Sequence, residues 1–181
     1  PPPTLGENAT GRSIVFTETK RDADELAGAL SESLGARALH GDVPQSAREA
    51  TLKGFREGKF DVLVATDVAA RGLDISGVEL VVQCEPPKDP ETYIHRSGRT
   101  GRAGESGVSV TLVDRKKEGL VPLIERRAGL KFERVGAPQP KDMAQASASR
   151  AAAQMKGVDS SVASWFLPAA QKVLSAAAEG D

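Results

Sequence analysis

The sequence predicts an α/β fold, a mostly parallel sheet with helices on both faces, followed by a short α-helical extension. Three observations carry this. Short apolar runs alternate with helically spaced segments through about residue 135. Runs such as Asp61-Val62-Leu63-Val64-Ala65-Thr66 have the signature of buried strands. After Gly136, Pro138 and Pro140 mark a hinge, alanine dominates, and strand signals stop.

The elements follow in order. Residues 1–9, with Pro1-Pro2-Pro3, lack periodicity and read as a linker or the cut end of a longer protein. Residues 10–135 form the first domain and 136–181 the extension. Ser13-Ile14-Val15-Phe16-Thr17 is a strand. Ala23, Leu26, Ala27, Leu30 and Leu34 give residues 19–34 helical spacing, ended by Gly35. Arg37-Ala38-Leu39 is the next strand. Pro44 suits the first turn of a helix with Ala47, Ala50, Leu52 and Phe55 facing inward. Residues 61–66, 78–82 and 108–113 are strands. Asp89-Pro90-Glu91 supplies a cap, a first-turn proline and an acid at the positive end of a helix. A helix occupies much of 115–128, delayed by Gly119 and Pro122, and Phe132-Glu133-Arg134-Val135 is a last strand. In the extension, residues 141–156 and 160–178 favour helix, and Pro168 bends or divides the second.

Composition removes several function classes. With 24 basic and 25 acidic residues the net charge is -1, which excludes a uniformly basic nucleic-acid coat but leaves room for a local basic site. The single Cys84 excludes a disulfide framework and a cysteine zinc site, and His40 and His95 alone cannot form a metal cluster. No metal is expected on this chain. No apolar run reaches membrane-spanning length, and no secretory signal opens the chain, so no membrane association is expected.

Ligands of such sheets sit at the carboxyl ends of the strands, so the loops after Phe16, Leu39, Thr66 and Val82 are the places to search. The strongest local signal is Tyr93-Ile94-His95-Arg96-Ser97-Gly98-Arg99-Thr100-Gly101-Arg102. Arginines at every third position, separated by glycines, can converge on one anion, because guanidinium forks match phosphate oxygens. A solvated basic turn is the plainer reading. A second signal is Ala65 to Ile75, where Thr66 supplies a hydroxyl and Asp74 is an acceptor suited to ribose hydroxyls; a capping acid and a turn glycine explain it equally. A third is His40-Gly41-Asp42-Val43-Pro44-Gln45-Ser46-Ala47-Arg48, with Gly41 permitting a tight turn and Gln45 and Arg48 facing one groove, or simply a surface helix start. Thr19 and Lys20 are a phosphate contact or a helix cap. Gly54 to Phe60 superficially resembles a P-loop but is short by one residue between its glycines, and Phe60 stands where Ser or Thr would bind magnesium. The chain thus has arginines for a nucleotide phosphate but no cradle of its own.

These strings, with Ser13 to Phe16, resemble motifs IV, IVa, V and VI of the DEAD-box RNA helicases in order and approximate spacing. The resemblance covers roughly residues 10–135 and implies the second, C-terminal RecA-like domain of such a helicase. Val82 to Pro87, Leu130 to Arg134 and the tail after Pro138 are similar to the nucleolar Gu/RNA helicase II group and its plant relatives. The resemblance implies that Arg99 and Arg102 reach the γ-phosphate of ATP, with Arg102 as the arginine finger, and that Asp74 touches the ribose. It implies that Arg71, His95 and Arg96 act across the domain interface. It further implies that Thr19, Lys20, Gly41, Arg48 and Thr66, with nearby backbone N–H groups, hold an RNA phosphate–sugar backbone, a contact independent of base sequence.

The family's P-loop, its DEAD acids and its adenine-reading motif do not occur in this sequence. ATP and Mg2+ are therefore expected on a first RecA-like domain, the partner of this one, and the chain alone is expected to be inactive. The function implied is local unwinding of RNA duplexes in ribosomal RNA processing, in the nucleus and nucleolus, with the chloroplast as the alternative location. A non-catalytic RNA-binding or scaffold module is the competing reading. In the tail, Val162, Phe166, Ala169, Val173 and Ala177 repeat at helical spacing beside Trp165. That stripe packs on the chain's own core, or binds a partner or a second copy as a homodimer through residues 158–178, or the alanine-rich tail has too little to bury and stays disordered.

Overall fold

The structure is a computed structural model, and it describes residues 11–70, 75, 78–101, 107–137, 139–156 and 160–178. It divides into two compact units, Asn8–Arg134 and a second formed by Pro1–Glu7 with Val135–Asp181.

The larger unit is built on a parallel sheet of β1 (Ser13–Thr17), β2 (Arg37–Leu39), β3 (Val62–Thr66), β4 (Leu80–Gln83) and β5 (Val108–Thr111), in the order β2-β3-β1-β4-β5. The central strand β1 is paired on both sides, Ser13 lying opposite Val62 and also opposite Leu80. All five of its residues are buried, which explains the unbroken apolar run in the sequence.

Alternate residues feed two cores. Val15, Val62 and Val64 pack with Ala23 and Ala27 of α1 (Lys20–Leu34). Ile14, Phe16, Leu63 and Ala65 pack with Leu52 and Phe55 of α2 (Gln45–Arg56) and with Ala69 and Ala70 of α3 (Asp67–Ala70). Phe55 is 1% exposed, so truncation to alanine there would cost about 3–5 kcal/mol. The inward stripe of α2 is half-buried Arg48 with Leu52 and Phe55, whereas Ala47 and Ala50, expected inside, are exposed. The spacing was right, but the stripe is rotated toward the bulkier residues.

Asp89 caps α4 (Pro90–Ser97) by accepting from the Glu91 N–H at 3.1 Å. A 3-10 turn at Glu118–Leu120 leads into α5 (Val121–Ala128), in line with the delay expected from Gly119 and Pro122. The expected last strand at residues 132–135 does not form. Its backbone is held by side chains instead. The Phe132 N–H donates to Glu125 Oε1 at 3.0 Å, and the Phe132 ring meets Tyr93 edge-on at 5.3 Å.

In the second unit, α6 (Pro140–Lys156) and α7 (Ser160–Ala178) are helical. Pro168 lies inside α7 and does not divide it. Trp165 and Phe166 of the stripe are exposed and Val162 is half-buried, while the side chains of Val173 and Ala177 fall outside the described residues.

Candidate functional site

The strand order places the carboxyl ends of β2, β3 and β1 side by side. Sequence-predicted contacts gather along this edge. Thr19 follows β1, and its hydroxyl caps α1 by accepting from the Asp22 N–H at 3.1 Å. The next residue, Lys20, is exposed and pairs with Asp42 at 2.5 Å. That ion pair joins the loop after β1 to the loop after β2. The Lys20 hydrogen bond holds the Asp42 carboxyl below the usual carboxylate range.

Gly41 and Asp42 form the centre of a turn closed by the Val43 N–H donating to the His40 carbonyl at 3.1 Å. The turn does not use a left-handed glycine, since Gly41 is not among the described glycines at positive φ. A Cβ on Gly41 would sit 3.5 Å from Lys20 Cε, an ordinary contact. Packing within the domain therefore does not require glycine here.

Thr66 ends β3 and is buried. Arg48, half-buried on α2, donates from Nη2 to the Ala69 carbonyl at 3.4 Å. Gln45, one turn earlier on the helix, donates from Nε2 to Glu49 Oε1 at 2.7 Å.

The arginine-rich segment begins on α4. His95 is exposed. Arg96 behaves differently. At 2% exposure, it grips Asp67 with Nε to Oδ1 at 2.7 Å and Nη2 to Oδ2 at 2.6 Å. Nη1 lies 3.5 Å from Gln83 Oε1, and the guanidinium covers the Phe16 ring at 5.3 Å. The expectation that Arg96 reaches across a domain interface is corrected by this burial. Its charge is matched inside its own domain, where an unpaired guanidinium would be costly.

Arg99 is half-buried, with Nη1 donating to the Ile75 carbonyl at 3.5 Å. Beside it, the Thr100 hydroxyl donates to the Val78 carbonyl at 2.5 Å, reinforcing a parallel bridge between these two residues. Gly101 adopts φ 66°, a left-handed conformation suited to glycine. Gly107 is sterically required, since a Cβ there would lie 1.9 Å from Thr100 Oγ1. Phe16, Asp67, Ala70, Thr92, His95, Arg96 and Arg99 line a shallow depression. The expectations for Arg71, Asp74 and Arg102 fall outside the described residues.

Sequence reasoning missed two carboxylates. Asp67 orients Arg96, and Asp24 contacts His40. Neither pairing leaves a local spacing signal, because each joins residues far apart in the chain.

A parallel sheet with ligand-type residues along one strand-end edge and an arginine loop beyond β4 has the layout of a RecA-like helicase domain. Residues 4–104 match the helicase conserved C-terminal domain, and the chain belongs to the DEAD-box RNA helicase family. Residues 139–179 match the DDX21/DDX50 dimerisation domain. The chain is 59% identical over 165 residues to DEAD-box ATP-dependent RNA helicase 7 of Spinacia oleracea, covering 91% of this chain and 24% of that protein. It is 51% identical over 164 residues to Nucleolar RNA helicase 2 of Mus musculus, covering 91% of this chain and 19% of that one. The chain thus spans a quarter or less of these relatives. Among solved structures, S. cerevisiae Dbp5 bound to RNA and ADP BeF3 superposes with TM-score 0.65 at 36% identity, over 78% of this chain and 38% of that one.

Proposed function

We propose that this chain is the second RecA-like domain of an ATP-dependent RNA helicase, which closes with a first RecA-like domain over ATP and RNA. The observation that carries this is the arrangement of two separate sets of residues. Thr19, Lys20, Gly41, Arg48 and Thr66 lie around the ends of three neighbouring strands, and Arg99 stands on a clamped loop beyond β4. The first set takes the RNA backbone. Gly41 supports this reading, because its missing side chain is not explained by the domain's own packing and suits close approach of a phosphate. Lys20 keeps donors for that phosphate while paired, since an ammonium has three.

The second set serves the nucleotide. Arg99 and Arg102 face the γ-phosphate, Asp74 the ribose, and His95 and Arg71 the first domain. ATP bound to that domain supplies the phosphoryl group, and Mg2+ is held there. This chain's arginines stabilise the charge that develops during transfer. Arg96 is reassigned as an internal brace that holds α4, and thus this loop, against Asp67 and β4.

Closure bends one RNA strand and opens a short duplex. The name of the mouse relative supports a nucleolar setting and, with it, ribosomal RNA processing. The exposed apolar residues of α7 and the dimerisation-domain match support self-association through the extension.

The test mixes the chain with a DEAD-box first RecA-like domain, RNA and ATP, and measures phosphate release. RNA-stimulated turnover is expected, with Arg102→Ala lowering it about a thousandfold. Equal turnover with Arg102→Ala would refute the finger assignment.

A further inference from the structure

Of the two histidines, His95 is exposed, whereas His40 is 6% exposed at the end of β2. The His40 ring has a partner at each nitrogen. Nε2 lies 2.8 Å from Asp24 Oδ1, and the Asp42 N–H points at Nδ1 at 3.4 Å. A backbone N–H can only donate, so Nδ1 must accept. An ionised carboxylate can only accept, so Nε2 must carry the proton. The neutral Nε2–H ring alone satisfies both contacts.

These contacts bear on the geometry of the Gly41 turn. Asp24 and Lys20 are four residues apart on α1 and share one face of it. Asp24 holds the His40 side chain at the start of the turn, and Lys20 holds Asp42 within it. The turn is therefore tied to α1 at two points. The Asp24–His40 tie is largely shielded on the histidine side, whereas the Lys20–Asp42 tie is exposed at both ends and contributes little rigidity by itself.

We propose that His40 is a positioning residue for RNA: through its Nε2–H bond to Asp24, it fixes the Gly41–Val43 turn on α1 in the orientation that receives the RNA backbone. This rests on the reading of Gly41 and Lys20 as RNA contacts. Neither His40 nor Asp24 touches RNA in this arrangement.

The test uses the 181-residue chain and a fluorescein-labelled single-stranded oligouridylate, with affinity read by anisotropy at neutral pH. Ring 15N shifts report the histidine tautomer, and thermal midpoints report folding. His40→Gln retains a donor near the Nε2 position and is expected to stay within about twofold of the parent affinity. His40→Asn retains only an acceptor near Nδ1 and is expected to lose roughly tenfold. Asp24 is 61% exposed, and Asp24→Ala should lose the same factor with a near-parental midpoint. The double variant His40→Asn/Asp24→Ala should lose no more than either single one, as partners in one bond do.

Unchanged affinity in Asp24→Ala and His40→Asn, additive losses, or a ring protonated at Nδ1 would each overturn the positioning role while leaving the RNA reading intact. An absence of oligouridylate binding by the parent chain would defeat the RNA reading, and the proposal with it.

Discussion

Arg96 and Asp67 meet through two parallel hydrogen bonds of 2.7 and 2.6 Å, the fork-to-fork geometry of a guanidinium on a carboxylate. The pair joins α4 to the residue that immediately follows β3. It thereby connects the loop carrying Arg99 with the strand end carrying Thr66.

Breaking one side of this pair should be costly. Arg96→Met leaves Asp67 without its partner, and Asp67→Asn leaves a buried guanidinium short of charge. Asp67 retains 29% side-chain exposure, so the loss should fall near the lower end of the ~3–5 kcal/mol typical of buried pairs. Arg96→Lys should not restore stability, because an ammonium lacks the planar fork. Urea unfolding midpoints would check this; an Arg96→Lys midpoint equal to the parent's would show that the fork is dispensable.

Thr100 offers a narrower test. Thr100→Val preserves shape but removes the bond to the Val78 carbonyl and should cost about 1 kcal/mol. Thr100→Ser keeps the hydroxyl and should be milder. In the reconstituted helicase, Thr100→Val should lower turnover through the adjacent arginines while leaving the KM for RNA unchanged. A shift in RNA KM with turnover intact would place Thr100 on the wrong face.

Acid stability should depend on Glu125. The Phe132 N–H, with help from Lys131, holds its carboxyl below the ordinary range. Its folded pKa is thus lower than its unfolded one. The stability it contributes is present above about pH 4.3 and is lost as pH falls through the folded value. Glu125→Gln should flatten this part of the acid limb when urea midpoints are measured against pH. Parallel curves for parent and variant would contradict the linkage.

The extension should self-associate. Trp165, at 78% exposure, and Phe166, at 60%, leave apolar surface in water unless a partner covers it. Light scattering over a concentration series should show mass rising above the monomer, and Trp165→Ala with Phe166→Ala should hold it at the monomer. A constant monomer mass for the parent would end this reading.

The inner strands β1 and β3 were legible because they are covered on both faces and so read as apolar runs. Residues 132–135 misled because Phe132 and Val135 are β-favouring residues in a short segment, while the deciding contacts, to Glu125 and Tyr93, come from other elements. Arg96 misled for a related reason. The even spacing of three arginines does not reveal which of them turns inward; that depends on Asp67, brought close only by the fold. Thr19 was legible as a cap from its place before a helix. The His40–Asp24 contact was not, because it requires β2 to lie beside α1.

The placement of β1 has a consequence for how the chain reaches its native state. The first strand to be made is the one that needs neighbours on both flanks, and those neighbours, β3 and β4, come much later in the chain. Large loops must close before its hydrogen bonds form, so high contact order slows assembly. A nascent chain ending before Leu80–Gln83 therefore leaves β1 with an open flank.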